Sequence, residues 1–512
     1  MTGARPEVGS MSAEQKRELL RRRLREGELS LLSYGQQAMW FLHHVDPGNT
    51  AYHVPVAFAV QSALDRTALE WAIGRLEERH PILRTTYREY GGVPVQQVQP
   101  DGRGTLEFVD ATGMDGGMFD AALTAATTRP FDLGHDPVLR FSLFQRPDGE
   151  LVLLVVAHHI AVDGWSLYQC LEELGALYTA RRAGVPPDLP EVTARYPGYV
   201  RWQAQMLRGP QGEQLAGYWR QRLSGDLPPL GLSTDRPRPP VQTFHGARHG
   251  FVVDRDLSDQ LNTLAATVGA TLFSVLLAGL QALLFHYTNQ PDIRVASQVA
   301  HREQAEYRGV VGYFADAVVL RTDLSGDPSF RELLTRVAAT VLDALEHQDM
   351  PFSAVVEMLQ PDRDSSRAPL CDVGFVMQKS QRFAFTRDTR PSVDDGGTSP
   401  FGTHSAGDSG LRWELGDLVL TSYPVDHRAA RFDLELQVLE ADSTISGVLT
   451  YNTDLFDPGT AQRLAGHLIV LLRSAVTYPD RPISQLELLP DEERELLLRW
   501  GAVSVHSGEG RW

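Results

Sequence analysis

An apolar run, Leu151 to Ala157, ends in two adjacent imidazoles and a turn: His158-His159-Ile160-Ala161-Val162-Asp163-Gly164. The apolar run reads as a buried strand. From Trp165 to about Ala183, Leu167, Cys170, Leu171, Leu174 and Leu177 fall at helical spacing, so an amphipathic helix follows. The paired histidines therefore sit at a strand end, before a sharp Asp-Gly bend that exposes backbone N–H groups at a helix start. Helices and strands alternate over residues 29 to about 185 and again from about His249 to Asp480, so the fold class is α/β (α+β), and the paired histidines stand where a general base and an oxyanion donor would.

The chain has 512 residues, too many for one ordinary core, so two lobes of roughly 200 residues are expected. A net charge of −17 argues against nucleic-acid binding, because the surface would repel phosphate. The two cysteines, Cys170 and Cys371, lie far apart in apolar patterns and read as buried free thiols, which fits a reducing cytoplasm. The first ten residues lack the apolar segment of a signal peptide. The apolar run Ala270 to Tyr287 carries Ser274, Gln281 and His286 without basic flanks, so it reads as a core helix and no membrane association is expected.

Ser12 and Gln15 form a capping-box pattern at the start of a basic helix running to Glu26, a docking or linker element. The organisation read from the chain is this N-terminal element (1–28), a first lobe with the paired histidines (29–190), a Pro-punctuated connector (191–248), a second lobe (249–485) and a linker-like tail (486–512). Within the second lobe, Pro391 to Gly410 has the composition of an exposed loop.

Leu32 to Leu42, Arg79 to Tyr87, His158 to Gly164, Tyr196 to Gln203, Val311 to Arg321, His347 to Phe352 and Arg367 to Leu370 form an ordered series of motifs. This series resembles the condensation domains of nonribosomal peptide synthetases over nearly the whole chain. Gly198 departs from the family's usual acidic residue, and Asp316 stands where Asn is common. The resemblance implies two lobes, each built like chloramphenicol acetyltransferase, forming a V-shaped pseudo-dimer within one monomeric chain. It implies an acyltransferase of nonribosomal peptide or hybrid polyketide biosynthesis, which joins a carrier-bound acyl or peptidyl thioester to an amine. The carrier protein would bring the phosphopantetheine arm, and the chain itself would bind no cofactor. The acceptor would be free or held on a second carrier. Ester formation onto an alcohol is the close variant. A noncatalytic domain that recruits a tailoring enzyme, or an epimerisation domain, is the rival.

Acyl transfer needs a group to take the nucleophile's proton and a donor to the tetrahedral oxyanion. The resemblance assigns the first role to His159, as base or as positioning group, and the Gly164 N–H is the candidate oxyanion donor. His158 points to the other side of its strand by alternation, so a core histidine is expected there. Asp163 either polarises His159 or, as the resemblance implies, holds the loop by pairing with an arginine of the second lobe; Arg294 is the expected partner and Arg302 the alternative. Trp165, Ser166, Tyr313 and Asp316 are candidates for lining the substrate channel, with packing as the alternative for Val310 to Leu324. His43-His44-Val45-Asp46-Pro47-Gly48 echoes the paired-histidine run, but its spacing differs and Pro47 and Gly48 mark a loop. No ligand spacing points to a metal.

Overall fold

A computed structural model describes residues 12–102, 104–361, 364–379, 412–426, 428–441 and 444–506. The strands in chain order are β1 (Ser30–Leu31), β2 (His53–Val60), β3 (Thr85–Tyr90), β4 (Val93–Val98), β5 (Leu106–Asp110), β6 (Leu139–Gln145) and β7 (Leu151–His158) in the first lobe. They continue with β8 (Gly246–Val253), β9 (Asp292–Val299), β10 (Asp316–Asp323), β11 (Val373–Lys379), β12 (Arg412–Leu415), β13 (Leu418–Tyr423), β14 (Leu434–Ala441) and β15 (Thr444–Asn452). Among the described residues there are two six-stranded sheets, ordered β12-β13-β2-β7-β6-β5 and β10-β9-β11-β14-β15-β8, and a small sheet β1-β4-β3.

Each large sheet packs helices against one face and builds its own hydrophobic core. In the first, the helix Gly164–Ala183 buries Leu167, Cys170, Leu171, Leu174 and Leu177, the stripe that the sequence spacing predicts. Each leucine so buried contributes roughly 1.5–3 kcal/mol relative to an exposed one. Asp163 starts this helix by accepting a hydrogen bond from the Ser166 N–H, and Gly184, at a φ of 66°, ends it where other side chains would be strained. In the second lobe the apolar helix Leu272–Thr288 is central to the core. No single described helix is long and apolar enough to cross a membrane. Cys170 and Cys371 are buried free thiols.

The hairpin β12–β13 falls in the span read from the sequence as the second lobe (249–485) but joins the first sheet. There β13 pairs antiparallel with β2 through Leu420↔Val60 to Tyr423↔Ala57. The crossover covers the β2 edge of the first sheet, which would otherwise present unpaired backbone groups. Asp417 fastens the hairpin turn to the Gly164–Ala183 helix, accepting an ion pair from Arg182 at 3.1 Å while its N–H bonds the Thr179 hydroxyl. The N-terminal helix, Ala13–Arg25, carries the expected Ser12/Gln15 capping box and docks on the small sheet through Leu20, with Arg23 donating to the Tyr90 hydroxyl at 2.9 Å. The segment Pro391 to Gly410 lies outside the described residues.

Candidate active site

Register places the paired histidines at the lobe junction. His158 is the last residue of β7 and stands opposite His53 of β2, while His159 begins the turn. The two rings have opposite environments and opposite tautomers. His158 is buried edge-on against His43, His53 and Phe131, at centroid distances of 6.4, 6.0 and 5.5 Å. Its Nδ1 accepts from the Ile160 N–H at 3.1 Å, so its proton is on Nε2, and burial beside other imidazoles holds its pKa well below the usual value. The echo motif thus contributes His43 as a packing neighbour of His158.

His159 Nδ1 lies 2.9 Å from the Val162 carbonyl, which can only accept, so Nδ1 carries the proton and Nε2 keeps its lone pair. The ring packs edge-on against Tyr313 at 5.8 Å and lines a cavity of about 140 Å³ between the lobes. Burial, and then the nearby Arg431 charge, lower its pKa to about 4. It is therefore a neutral imidazole at physiological pH, with the Nε2 lone pair unprotonated. Gly164 lines the same cavity, and as the first residue of its helix it has an N–H without an intrahelical acceptor.

The loop that presents His159 is held by a buried ion pair across the lobes, and its arginine is Arg302. Arg302 lies 3.0 and 3.1 Å from the two Asp163 carboxylate oxygens, with both side chains about 5% exposed or less. The Ser166 and Phe314 N–H groups occupy the carboxylate further, at 2.7 and 3.0 Å. Arg302 also donates to the Ser166 hydroxyl, and to the carbonyls of Tyr307 and Val310. The expected partner Arg294 is instead spent on the carbonyls of Leu370 and Pro228. The reason is position along the chain. Arg294 is the third residue of β9, about 17 Å of strand before its end at Val299, whereas Arg302 lies in the irregular chain beyond that end.

Ser166 is locked in place: its hydroxyl accepts from the Gly312 N–H and donates to the Gly312 carbonyl, at 3.0 and 2.8 Å. Gly312 has no room for a side chain, since a Cβ there would fall 2.1 Å from the Tyr196 ring. Two other motifs meet the same loop directly, and a third holds the Val311–Arg321 segment beside it. Gln36 donates to the Ile160 carbonyl at 2.8 Å, Tyr87 reaches the same oxygen at 3.4 Å, and the Tyr196 hydroxyl donates to the Tyr313 carbonyl at 2.6 Å.

Of the residues considered for channel lining, Trp165, Ser166, Tyr313 and Asp316 do not line the cavity beside His159. Trp165 lies against the Arg302 guanidinium, and Tyr313 supports the His159 ring from one edge. Asp316 is half-buried at the start of β10, where one oxygen accepts from the Ala317 and Phe352 N–H groups; loss of solvent around the carboxylate raises its pKa.

The cavity wall on the second lobe comes from residues that the sequence reading passed over: Arg248, Gln298, Gln378, Arg431, Glu435, Gln437 and Thr450. Arg431 pairs with Glu435 at 2.9 Å, and Gln437 donates to the other Glu435 oxygen at 2.8 Å. With its carbonyl turned toward Arg431, Gln298 accepts at 2.9 and 3.2 Å. Gly374 makes space for this pair, since a Cβ there would crowd the Phe432 ring and the Glu435 side chain. The available signal was the alternation of Leu434-Glu435-Leu436-Gln437-Val438, which reads as solvent-facing in isolation and faces the other lobe in the fold.

A family model described as Condensation domain matches residues 27–498. A linear gramicidin synthase chain of Brevibacillus parabrevis is 40% identical over 94% of this chain, and chondramide synthase cmdD of Chondromyces crocatus is 36% identical over 94%. The match covers only 9% and 12% of those proteins. Among solved structures, the X-domain from teicoplanin biosynthesis is similar at 28% identity and a TM-score of 0.77, over 90% of this chain and 97% of that one. The starter condensation domain of rhizomide synthetase shares the fold, at 18% identity and a TM-score of 0.73 over 91% of this chain and 98% of that one. The two sheets with their separate cores are accordingly lobes of the chloramphenicol acetyltransferase kind, and this chain belongs to the condensation-domain family of nonribosomal peptide synthetases.

Proposed function

We propose that the chain catalyses condensation: a carrier-bound acyl or peptidyl thioester is attacked by an amine to form an amide. The observation that carries this reading is His159, a neutral imidazole whose Nδ1–H is tied to Val162 and whose Nε2 is left for the cavity. The amine nitrogen adds to the thioester carbonyl while Nε2 takes its proton. As the tetrahedral species collapses, the C–S bond breaks and the proton passes to the departing sulfur. The Gly164 N–H, first in its helix and bordering the cavity, supports this reading as the donor to the oxyanion. The phosphopantetheine arm arrives on the carrier protein, and an alcohol in place of the amine gives an ester by the same proton route.

A second reading has a specific observation behind it. The X-domain is among the similar structures, and a complex of it with OxyB from teicoplanin biosynthesis is known. A recruitment surface needs no open base, so the freedom of His159 Nε2 favours catalysis. The test is to incubate the protein with a donor-loaded carrier and a panel of amines and alcohols, following products by mass spectrometry. Product that falls to background in His159→Ala supports catalysis. Equal yields with wild type and His159→Ala, together with binding of a tailoring oxidase, would replace it with recruitment.

A further inference from the structure

The motif His347-Gln348-Asp349-Met350-Pro351-Phe352 does not line the cavity, and its contacts go instead to the chain on either side of Arg302. It forms the turn between the helices Phe330–Glu346 and Phe352–Leu359 of the second lobe. The turn is firmly seated. His347 stacks on the Tyr218 ring at 3.7 Å, its carbonyl accepts from the Trp219 indole at 3.0 Å, and Met350 is buried in the second core. At its other end the Phe352 N–H reaches Asp316, the first residue of β10.

Arg302 has no such seat of its own. Pairing of β9 stops at Val299, opposite Asp316, and Arg302 follows in irregular chain. The residues on both sides of it are held by the turn. Asp349 Oδ1 stands 3.6 Å from His301 Nδ1, beyond a hydrogen bond but within electrostatic reach, and the Gln348 amide donates to Glu303 at 2.6 Å. Gln211 steadies the other Asp349 oxygen at 3.3 Å. His301 is the strained member: its φ of 38° is left-handed, unfavourable for a residue with a side chain, and the imidazole is only 5% exposed. The bend it makes takes the chain off the extended line of β9 one residue before Arg302, whose guanidinium crosses to Asp163 and Ser166. A buried ion pair offsets its desolvation only in good geometry, so what fixes the backbone of Arg302 fixes the loop.

We propose that Gln348 and Asp349 are positioning residues for the reaction. By gripping Glu303 and His301 on either side of Arg302, they set where its guanidinium meets Asp163, and through Asp163 the loop that presents His159. The inference rests on the condensation reading for its effect on rate. Neither residue touches the reacting atoms, and a turn that only joined two helices would leave Arg302 indifferent to it.

Isotope-labelled arginine reports on the grip directly, because the Arg302 Nε–H is buried and shielded from exchange with water. Its NMR signal is identified by its loss in Arg302→Lys, and the Trp165 indole N–H, against the same guanidinium, is a second reporter. Three proteins are compared with wild type: Asp349→Ala, Gln348→Glu, and Gln348→Glu combined with Glu303→Gln. Asp349→Ala releases His301, and Gln348→Glu sets two carboxylates against each other. Each should displace or broaden the Arg302 signal and lower the single-turnover rate of amide formation about tenfold or more, with near-UV circular dichroism unchanged. The combined substitution restores the hydrogen bond with donor and acceptor exchanged, and should return signal and rate to near wild type. An Arg302 signal unchanged in both Asp349→Ala and Gln348→Glu, or no recovery in the combined protein, would overturn the proposal. Displaced signals with wild-type rates would sink the positioning role alone. Absence of product from every protein, wild type included, would sink the condensation reading, while the signals still decide the grip on Arg302.

Discussion

Asp163 and Glu435 are both buried carboxylates at the lobe junction, and an arginine of the second lobe holds each, yet their surroundings differ. Both oxygens of Asp163 are occupied by Arg302, Ser166 and Phe314, and the hydroxyl and backbone groups around them close on one another. Around Glu435 the charge is matched, but the outermost groups, Gln437 Oε1 and Thr450 Oγ1, end without a partner. The first arrangement fixes a loop between two lobes. The second leaves its hydrogen-bonding capacity open to the cavity. Closure marks a region that must not move, and incompleteness marks one that receives something.

The largest test of this contrast removes the closed carboxylate. Asp163→Ala leaves Arg302 buried without a counter-charge, so unfolding in denaturant should show a loss of about 3–5 kcal/mol. Product formation should vanish with it, since the loop that orients His159 loses its anchor. Arg294→Ala should leave the loop in place, because that side chain serves Leu370 and Pro228. Next in size is His159→Ala. Losing the proton acceptor should lower single-turnover rates by about 10²–10⁴-fold, with far-UV and near-UV circular dichroism unchanged.

The open region can be probed by pH. The His159 pKa in the fold, about 4, lies below its ordinary value of 6.5, for reasons of burial and then Arg431. Between those values the unfolded chain binds more protons than the folded one. Stability from this group is therefore present above about pH 6.5 and is lost as pH falls toward about 4. Arg431→Met removes a positive charge from beside the ring, which favours the imidazolium. An NMR titration of the His159 ring should show the midpoint move upward, and the acid slope of stability should shrink; a midpoint that stays or drops would refute the coupling.

The sequence carried the closed region far better than the open one. The paired histidines, the Asp-Gly bend and the helical stripe are local patterns, and the Gly164–Ala183 helix follows from them directly. Arg302 was harder than its carboxylate, because which arginine reaches Asp163 depends on where β9 ends relative to the junction. Crossover of β12–β13 to the first sheet depends on an unpaired edge far away in sequence. The polar wall was least legible. Glu435 and Gln437 alternate with leucine and valine as on any half-exposed strand, and only the packing of one lobe against the other turns water-facing residues into a lining.

The finest test applies one chemical change to both regions. Ser166→Ala and Thr450→Val each delete a buried hydroxyl and leave a hydrocarbon group in its place. At Ser166 the hydroxyl answers the Gly312 N–H, the Gly312 carbonyl and Arg302, so its removal strands several buried groups at once. The expected cost is about 1–3 kcal/mol in unfolding free energy. At Thr450 the hydroxyl has no partner to strand, and the substitution keeps the side chain's shape, so the change should be neutral or stabilising. Equal losses at the two positions would mean that Thr450 is bound into its surroundings as firmly as Ser166, and the distinction between a closed and a receptive region would fail at its smallest unit. A gap of the expected size would show that deletion of a hydroxyl costs what its neighbours lose, which at Thr450 is nothing.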